Sequence, residues 1–365
     1  MLKGRSLMDL ATELMRIDET KKDIVAPVTA LHMAENDASL AVINGEVHEY
    51  KPTTWAHQQI ASYADVPKSY YDRLKDENPS LLSRNVNHGF LKNVEQAQSN
   101  GKNESRLIRL LDGNVRAFLS SRYRILDSSD LLTAVMPLMA DNKMKVESSE
   151  LTERRLFVKA VSDRAELTTE VKKGDVVQYG LVISSSDVGS GSVRIEPMIY
   201  RLSCLNGMIS PDSTIRKFHV GKDLAAINQD FQDILSDETK RKADDAFWST
   251  VREVVAHSMK VEIFQNVVDR LRVAANEPIK NYDLPRVVEL TTKALNITGD
   301  NIKNNIMREL ASGGDLSRWG LVNAFTAAAH TTEGIDYESS TELERAGGKI
   351  LDLPADQWRN ISASA

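Results

Sequence analysis

Val176-Val177-Gln178-Tyr179-Gly180-Leu181-Val182-Ile183-Ser184 and Val193-Arg194-Ile195-Glu196-Pro197-Met198-Ile199-Tyr200-Arg201-Leu202 are the two stretches on which the fold turns. Both are rich in β-branched and aromatic residues, which pack well on a pleated surface. Leu181, Val182 and Ile183 are consecutive and apolar, the mark of a strand covered on both faces. The eight residues between the stretches, Ser185-Ser186-Asp187-Val188-Gly189-Ser190-Gly191-Ser192, read as a flexible hairpin loop. Two long strands joined so closely pair antiparallel.

Working outward, Arg155 to Val161 reads as another strand. Leu107 to Leu111 and Val115 to Leu119, with the turn Asp112-Gly113, read as a second hairpin of the same sheet. Leu126 to Met139 reads as a helix capped by Asp127 or Ser128. The expectation is an α+β fold: a central antiparallel sheet with helices packed on one side. An N-terminal helical unit flanks it. There, residues 5–20 place Leu7, Leu10, Ala11, Leu14 and Ile17 on one face, Asn44-Gly45 marks a hairpin, and Thr53-Thr54 caps a helix carrying Trp55 and Tyr63. Pro67 and Pro79 open two further helices, and the polar stretch 93–105 reads as a linker or mobile loop. From Leu224 onward the pattern is almost wholly helical, with starts at Asp283 and Asp300 and a stop at Gly313-Gly314. The expected units are 1–100, a central core at 106–220, a helical region at 222–332, and a peripheral tail at 333–365, with Leu351, Leu353 and Trp358 beyond Gly347-Gly348 available to dock it.

Composition excludes several classes. Of 365 residues, 41% are apolar and 27% charged, with 46 Lys plus Arg against 52 Asp plus Glu, a net charge of −6. That balance is ordinary for a globular protein and gives no overall polyanion-binding signature. No apolar stretch is long enough to span a membrane. One cysteine, Cys204, cannot form an internal disulfide, so a reducing, cytoplasmic setting is expected. Cys204 closes an apolar strand and, with His219 the nearest histidine, reads as a small inert hydrophobe rather than a nucleophile. The seven histidines lack metal-ligand spacing, so no metal and no cofactor are expected. Gly189-Ser190-Gly191 lacks the lysine and the following helix of a phosphate loop.

The basic residues carry the functional expectation. Arg106, Arg109, Arg116, Arg122 and Arg124 lie in one short stretch against a single acid, Asp112, and are interleaved with Phe118 and Tyr123. Arginine suits bidentate phosphate contact, and aromatic rings suit base stacking. Arg154, Arg155, Lys159, Arg194 and Arg201 extend the set on neighbouring strands. Strand alternation cuts against this, because Arg109 is out of phase with the other four and Glu153, Glu170 and Glu196 stand ready as partners. The acidic stretch Asp230 to Asp245 offsets the arginines in the total charge. Trp55, Tyr70 and Tyr71 read as core residues, and Gly207 as a turn or helix entry.

Several segments together resemble one family: Thr54-Trp55-Ala56-His57-Gln58-Gln59-Ile60-Ala61, Arg116-Ala117-Phe118-Leu119-Ser120-Ser121-Arg122-Tyr123-Arg124, Val182 to Gly189, Tyr200 to Met208, Arg318 to Ala324 and Glu344 to Lys349. They are similar to a phage- and plasmid-associated family built on a domain of unknown function, carried by prophages and conjugative plasmids. The resemblance implies a bacterial cytoplasm and mobile-element DNA, and carries no catalytic residues. The expected function is binding of single-stranded nucleic acid, with strand annealing in recombination or replication, by a homo-oligomer. Arg106, Arg109, Arg116, Arg122 and Arg124 would meet phosphates, Arg155, Lys159 and Arg201 would extend the groove, and Phe118 or Tyr123 would stack bases. Two other classes stand beside it: a metal-dependent nuclease or hydrolase using Asp175 and Glu196, and a protein-interaction module such as an inhibitor of host defence.

Overall fold

The computed structural model describes residues 1–210, 237–280 and 283–363; the expectations placed on His219, Leu224, Asp230 and Asp233 lie outside them. The chain opens with α1 (Leu7–Thr20), which buries Leu10, Leu14 and Ile17 and is capped by Ser6, whose hydroxyl accepts the Asp9 N–H. Strand β1 (Lys22–Pro27) is followed by a meander of β2 (Leu31–Met33), β3 (Leu40–Asn44) and β4 (Glu46–Tyr50), turned at Gly45 as the Asn-Gly pair predicts. Next come α2 (Thr54–Tyr63), capped by Thr53 as expected, α3 (Lys68–Glu77) and α4 (Pro79–Ser99). The stretch 93–105 is therefore mostly the end of a long helix, not a linker. Val94 is buried in line with Leu82, Val86 and Phe90, and that single apolar position keeps the polar turns helical.

Strands β5 (Ser105–Leu111) and β6 (Asn114–Ser120) form the hairpin predicted around Asp112-Gly113, both of which take positive φ. Its sheet differs from the expectation. β5 pairs with β1, from Lys22 opposite Leu110 to Pro27 opposite Ser105, giving a separate three-stranded sheet. Ile108, Leu110, Val115 and Phe118 pack into a core with Ile60, Leu82 and Phe90, so the hairpin is built onto the N-terminal helices.

The central sheet has six strands. After α5 (Ser128–Asp141) come β7 (Met144–Leu151), β8 (Leu156–Ser162), β9 (Thr168–Lys172), β10 (Asp175–Ser185), β11 (Arg194–Arg201) and β12 (Asn206–Ile209). The order is β12-β11-β10-β8-β7, all antiparallel, with β9 paired to the first half of β10. Leu181, Val182 and Ile183 are fully buried, as their consecutive apolar character predicts. Gly207 lies within β12 instead of at a turn; a Cβ there would sit 2.8 Å from the Met198 sulfur.

The C-terminal region is helical, with α6 (Asp237–Ser258), α7 (Val261–Ala275), α8 (Leu284–Ala294), α9 (Asp300–Gly313), α10 (Arg318–Thr331), α11 (Tyr337–Ile350) and α12 (Ala355–Ala363). The α+β architecture is thus the one expected. On β8, Leu156, Val158 and Ala160 join the main core with Leu10, Leu131, Val251 and Phe264. The alternate residues Phe157 and Lys159 meet Tyr337 and Glu344, so α11 covers the second face of the sheet. Residues 333–365, expected as a peripheral tail, contain this helix. Gly347-Gly348 lies inside it, where a Cβ on Gly347 would meet Thr326 of α10 at 2.7 Å. Trp358 and Ile361 of α12 are buried, the docking anticipated for the last residues. Among the described residues no helix is long and apolar enough to cross a membrane.

Candidate functional site

The loop between β10 and β11 organises the place where the N-terminal unit meets the central sheet. It is not the slack connection its serines and glycines suggest. Ser186, Asp187 and Val188 are buried. The Asp187 carboxylate accepts the backbone N–H of Ser128 at 2.9 Å and its hydroxyl at 2.6 Å, so it caps α5 from outside the helix. Its carbonyl accepts from Arg109. Trp55 Nε1 and the Gln59 amide both donate to the Val188 carbonyl at 2.8 Å, latching α2 to the loop. Arg155 donates to Ser190 O. Gly189, at φ +75°, brings the backbone so near Leu119 that a Cβ would sit 2.6 Å from its methyl group.

Beside this loop lies a cleft of about 370 Å³ whose lining includes Lys51, Thr53, Arg116, Arg154, Arg155 and Asp187. Arg116, from β6, is 6% exposed. Its nearest carboxylates are those of Asp187 at 3.8 Å and Asp127 at 4.0 Å, beyond hydrogen-bond distance. Its Nε and Nη2 are buried with no hydrogen bond among the described residues. Burial, and then the neighbouring Arg109 charge, pull its pKa down. The carboxylates near the cleft are engaged: Arg16 donates to both Glu13 and Asp112, and Glu153 accepts the Trp55 N–H at the start of α2.

On the other side of the Trp55–Val188 hydrogen bond is an open groove of about 740 Å³. Trp55, Gln58 and Tyr63 of α2, Lys68, Arg106 and Gly189 are on its walls. The Arg106 guanidinium lies over the Tyr63 ring, 4.3 Å from its centroid, and 4.9 Å from that of Phe118. Arg154, from the cleft, lies over the Trp55 ring at 5.5 Å.

The structure disperses the predicted basic set. Arg109 is fully buried and donates to Asp23, Asp127 and Asp187 O at 2.7–3.2 Å. Arg124 donates to Asp244 of α6 and covers Phe247. Arg201 donates to Asp175 at 2.5 Å and to the Cys204 sulfur at 3.2 Å. Lys159 has no exposed surface and is paired at 2.5 Å with an equally buried Glu344. Phe118 is a core residue, stacked on Phe90, and Tyr123 is half-buried with its hydroxyl donating to Ser186 O. Arg122 alone of the five hairpin arginines is exposed. Of the predicted residues, Arg116, Arg154 and Arg155 meet in the cleft, and Arg106 and Phe118 line the groove. Asp175 and Glu196 do not face each other: Asp175 holds Arg201 and Trp319, and Glu196 holds Arg345. Among the described residues no three His, Cys, Asp or Glu side chains converge as a metal site. Cys204 is exposed, not a buried hydrophobe, because it sits in the turn between β11 and β12.

Residues 116–328 match the family described as Domain of unknown function (DUF932). The chain belongs to that family. The match begins at Arg116 and includes Arg155 and the whole Asp187-Val188-Gly189 loop, whereas Lys51, Trp55, Tyr63 and Arg106 precede it. Neither the curated proteins nor the solved structures contain a match to this chain. Lys51, Thr53 and Asp187 were not singled out as site residues in the sequence; the one signal for Asp187 is a charged residue between two strands that are themselves buried.

Proposed function

We propose that the chain binds nucleic acid, with mobile-element DNA in a bacterial cytoplasm as the setting, and that backbone phosphate enters the cleft beside Arg116. One observation carries the reading: Arg116 is nine-tenths buried, borders the cleft, and has two guanidinium nitrogens without an acceptor among the described residues. Asp187 at 3.8 Å and Asp127 at 4.0 Å do not meet its charge at hydrogen-bond distance, so an anionic occupant of the cleft is favoured. Phosphate suits a guanidinium, because the two form charge-assisted hydrogen bonds. Arg155 and Lys51 add charge on the walls, while Glu13 and Asp112 are already held by Arg16. In this reading Arg109, Arg124, Lys159 and Arg201 hold the fold, and the phosphate-contacting set contracts to Arg116, Arg155 and the exposed Arg122.

Binding of a labelled single-stranded oligonucleotide, measured by anisotropy across a salt series, tests this. Arg116→Gln and Arg155→Gln are each expected to weaken binding about tenfold and to lower the salt slope by about one. A double variant with wild-type affinity and slope sinks the reading.

A further inference from the structure

The groove on the far side of the Trp55–Val188 latch has a composition unlike the cleft. Aromatic carbon and a guanidinium replace paired charges: Trp55 and Tyr63 rise from one helix, and the Arg106 guanidinium lies over the Tyr63 ring. Its Nε is buried with no hydrogen-bond partner among the described residues. Lys68 is exposed at the margin. The two depressions are close neighbours, since Val188 lines the cleft and the next residue, Gly189, lines the groove. Arg154 bridges them, lining the cleft while covering the Trp55 ring.

Resting on the phosphate reading above, we infer that this groove takes an unpaired nucleobase of the strand whose phosphate lies by Arg116. The ligand is then single-stranded. A base is planar and apolar on its faces with polar edges, so it stacks on rings or on a guanidinium plane whatever its identity. A paired base cannot enter, because its faces are stacked and its edge is occupied. Phosphate cleft and base groove would together read one nucleotide step: charge on one side of the latch, an exposed base on the other.

The test uses the full chain and three labelled probes of equal length: a single strand, the same strand with contiguous abasic linkers, and its duplex. The intact strand is expected to bind about tenfold tighter than the abasic one, with the same salt slope, because the lost contact is uncharged. The duplex is expected to bind no better than the abasic strand. Trp55→Leu should lower affinity for the intact strand and leave the abasic strand unchanged. Since that variant also loses the latch, a 2-aminopurine strand on the wild-type protein gives an independent readout, its fluorescence quenched on binding. Equal binding of all three probes without quenching overturns the inference. If Arg116→Gln still weakens binding in that case, the phosphate reading survives alone; if no probe binds, both fall.

Discussion

Two buried charge networks in this protein are built to opposite ends. Under α11, each cation meets a carboxylate directly: Lys159 with Glu344, and Arg345 with Glu196 at 2.5 Å. Around the hairpin, Lys21, Arg109 and Arg116 face Asp18, Asp23, Asp127 and Asp187, three against four. There Arg109 takes the short contacts to Asp23 and Asp127, and Lys21 the other oxygen of Asp127. Arg116 is left at 3.8–4.0 Å. A sufficient number of carboxylates therefore does not mean that every cation is satisfied. The first network is closed over by a helix and fastens it; the second leaves one guanidinium beside a cleft. Charge count alone, which marked both regions as basic strands, could not tell them apart.

The comparison is broken most violently at Lys159. Lys159→Met strands the Glu344 carboxylate in a site with no solvent exposure, and loss of one partner of a buried pair costs about 3–5 kcal/mol. Burial already holds the Lys159 ammonium below its ordinary range. Lys159→Met combined with Glu344→Leu should recover most of that loss in urea unfolding, because an apolar pair needs no compensation. A double variant as unstable as the single one would show that the pair does more than hold α11. Arg109→Met comes next, at about 2–4 kcal/mol, since Asp127 and the Asp187 carbonyl lose their donor together. Asp23 is partly exposed and recovers some solvation, which keeps this figure below that for Lys159.

Why the two networks look alike in the sequence follows from what each level encodes. The central hairpin was legible because Leu181, Val182 and Ile183 carry their own burial, and the Thr53 cap and the Asp112-Gly113 turn because their chemistry is local. The partner of β5 was not legible: its residues alternate as well for one sheet as for another, and only the contact with β1 decides. Gly347-Gly348 read as lying at the edge of a peripheral tail; the tertiary role of Gly347, letting α11 approach Thr326, has no local signature. The site suffers the same limit. Strand parity separates Arg109 from Arg116 but does not say which of them is satisfied; that depends on Asp23, Asp127 and Asp187 from three other elements.

Acid separates the networks more gently. Burial lowers His57 to about 4 and His330 to about 3, the latter aided by the α-amino group of Met1 and Lys159. An unfolded histidine titrates near 6.5. Below that pH the unfolded chain takes up protons the folded chain refuses, so stability is full above pH 6.5 and falls as pH drops toward 4. Each histidine is expected to cost about 1–2 kcal/mol between pH 7 and 5. His330, 3.9 Å from the Glu344 carboxylate, reports on the α11 network; His57, accepting or donating at 2.8 Å to Tyr71, reports on the N-terminal unit. Replacing each by Gln should flatten the pH dependence of the urea midpoint by its own share. A midpoint slope unchanged in the double variant assigns the acid loss elsewhere.

The smallest expected change in stability is the one that bears most on function. Arg116→Met removes a buried charge that makes no hydrogen bond through Nε or Nη2 among the described residues, and fills most of the space with an apolar chain of similar length. The desolvation cost of the guanidinium is relieved while its weak attraction to Asp127 and Asp187 is lost, so the two effects oppose each other and the net shift is expected within about 1 kcal/mol. Binding should respond quite differently, falling at least as far as in Arg116→Gln. Stability and binding thus move together at Arg109, where a damaged fold carries the site down with it, and part at Arg116. Urea midpoints and anisotropy on the same preparations decide it: a loss of 3 kcal/mol or more at Arg116 would place that residue with Lys159 among the fasteners of the fold and leave the cleft without its principal cation.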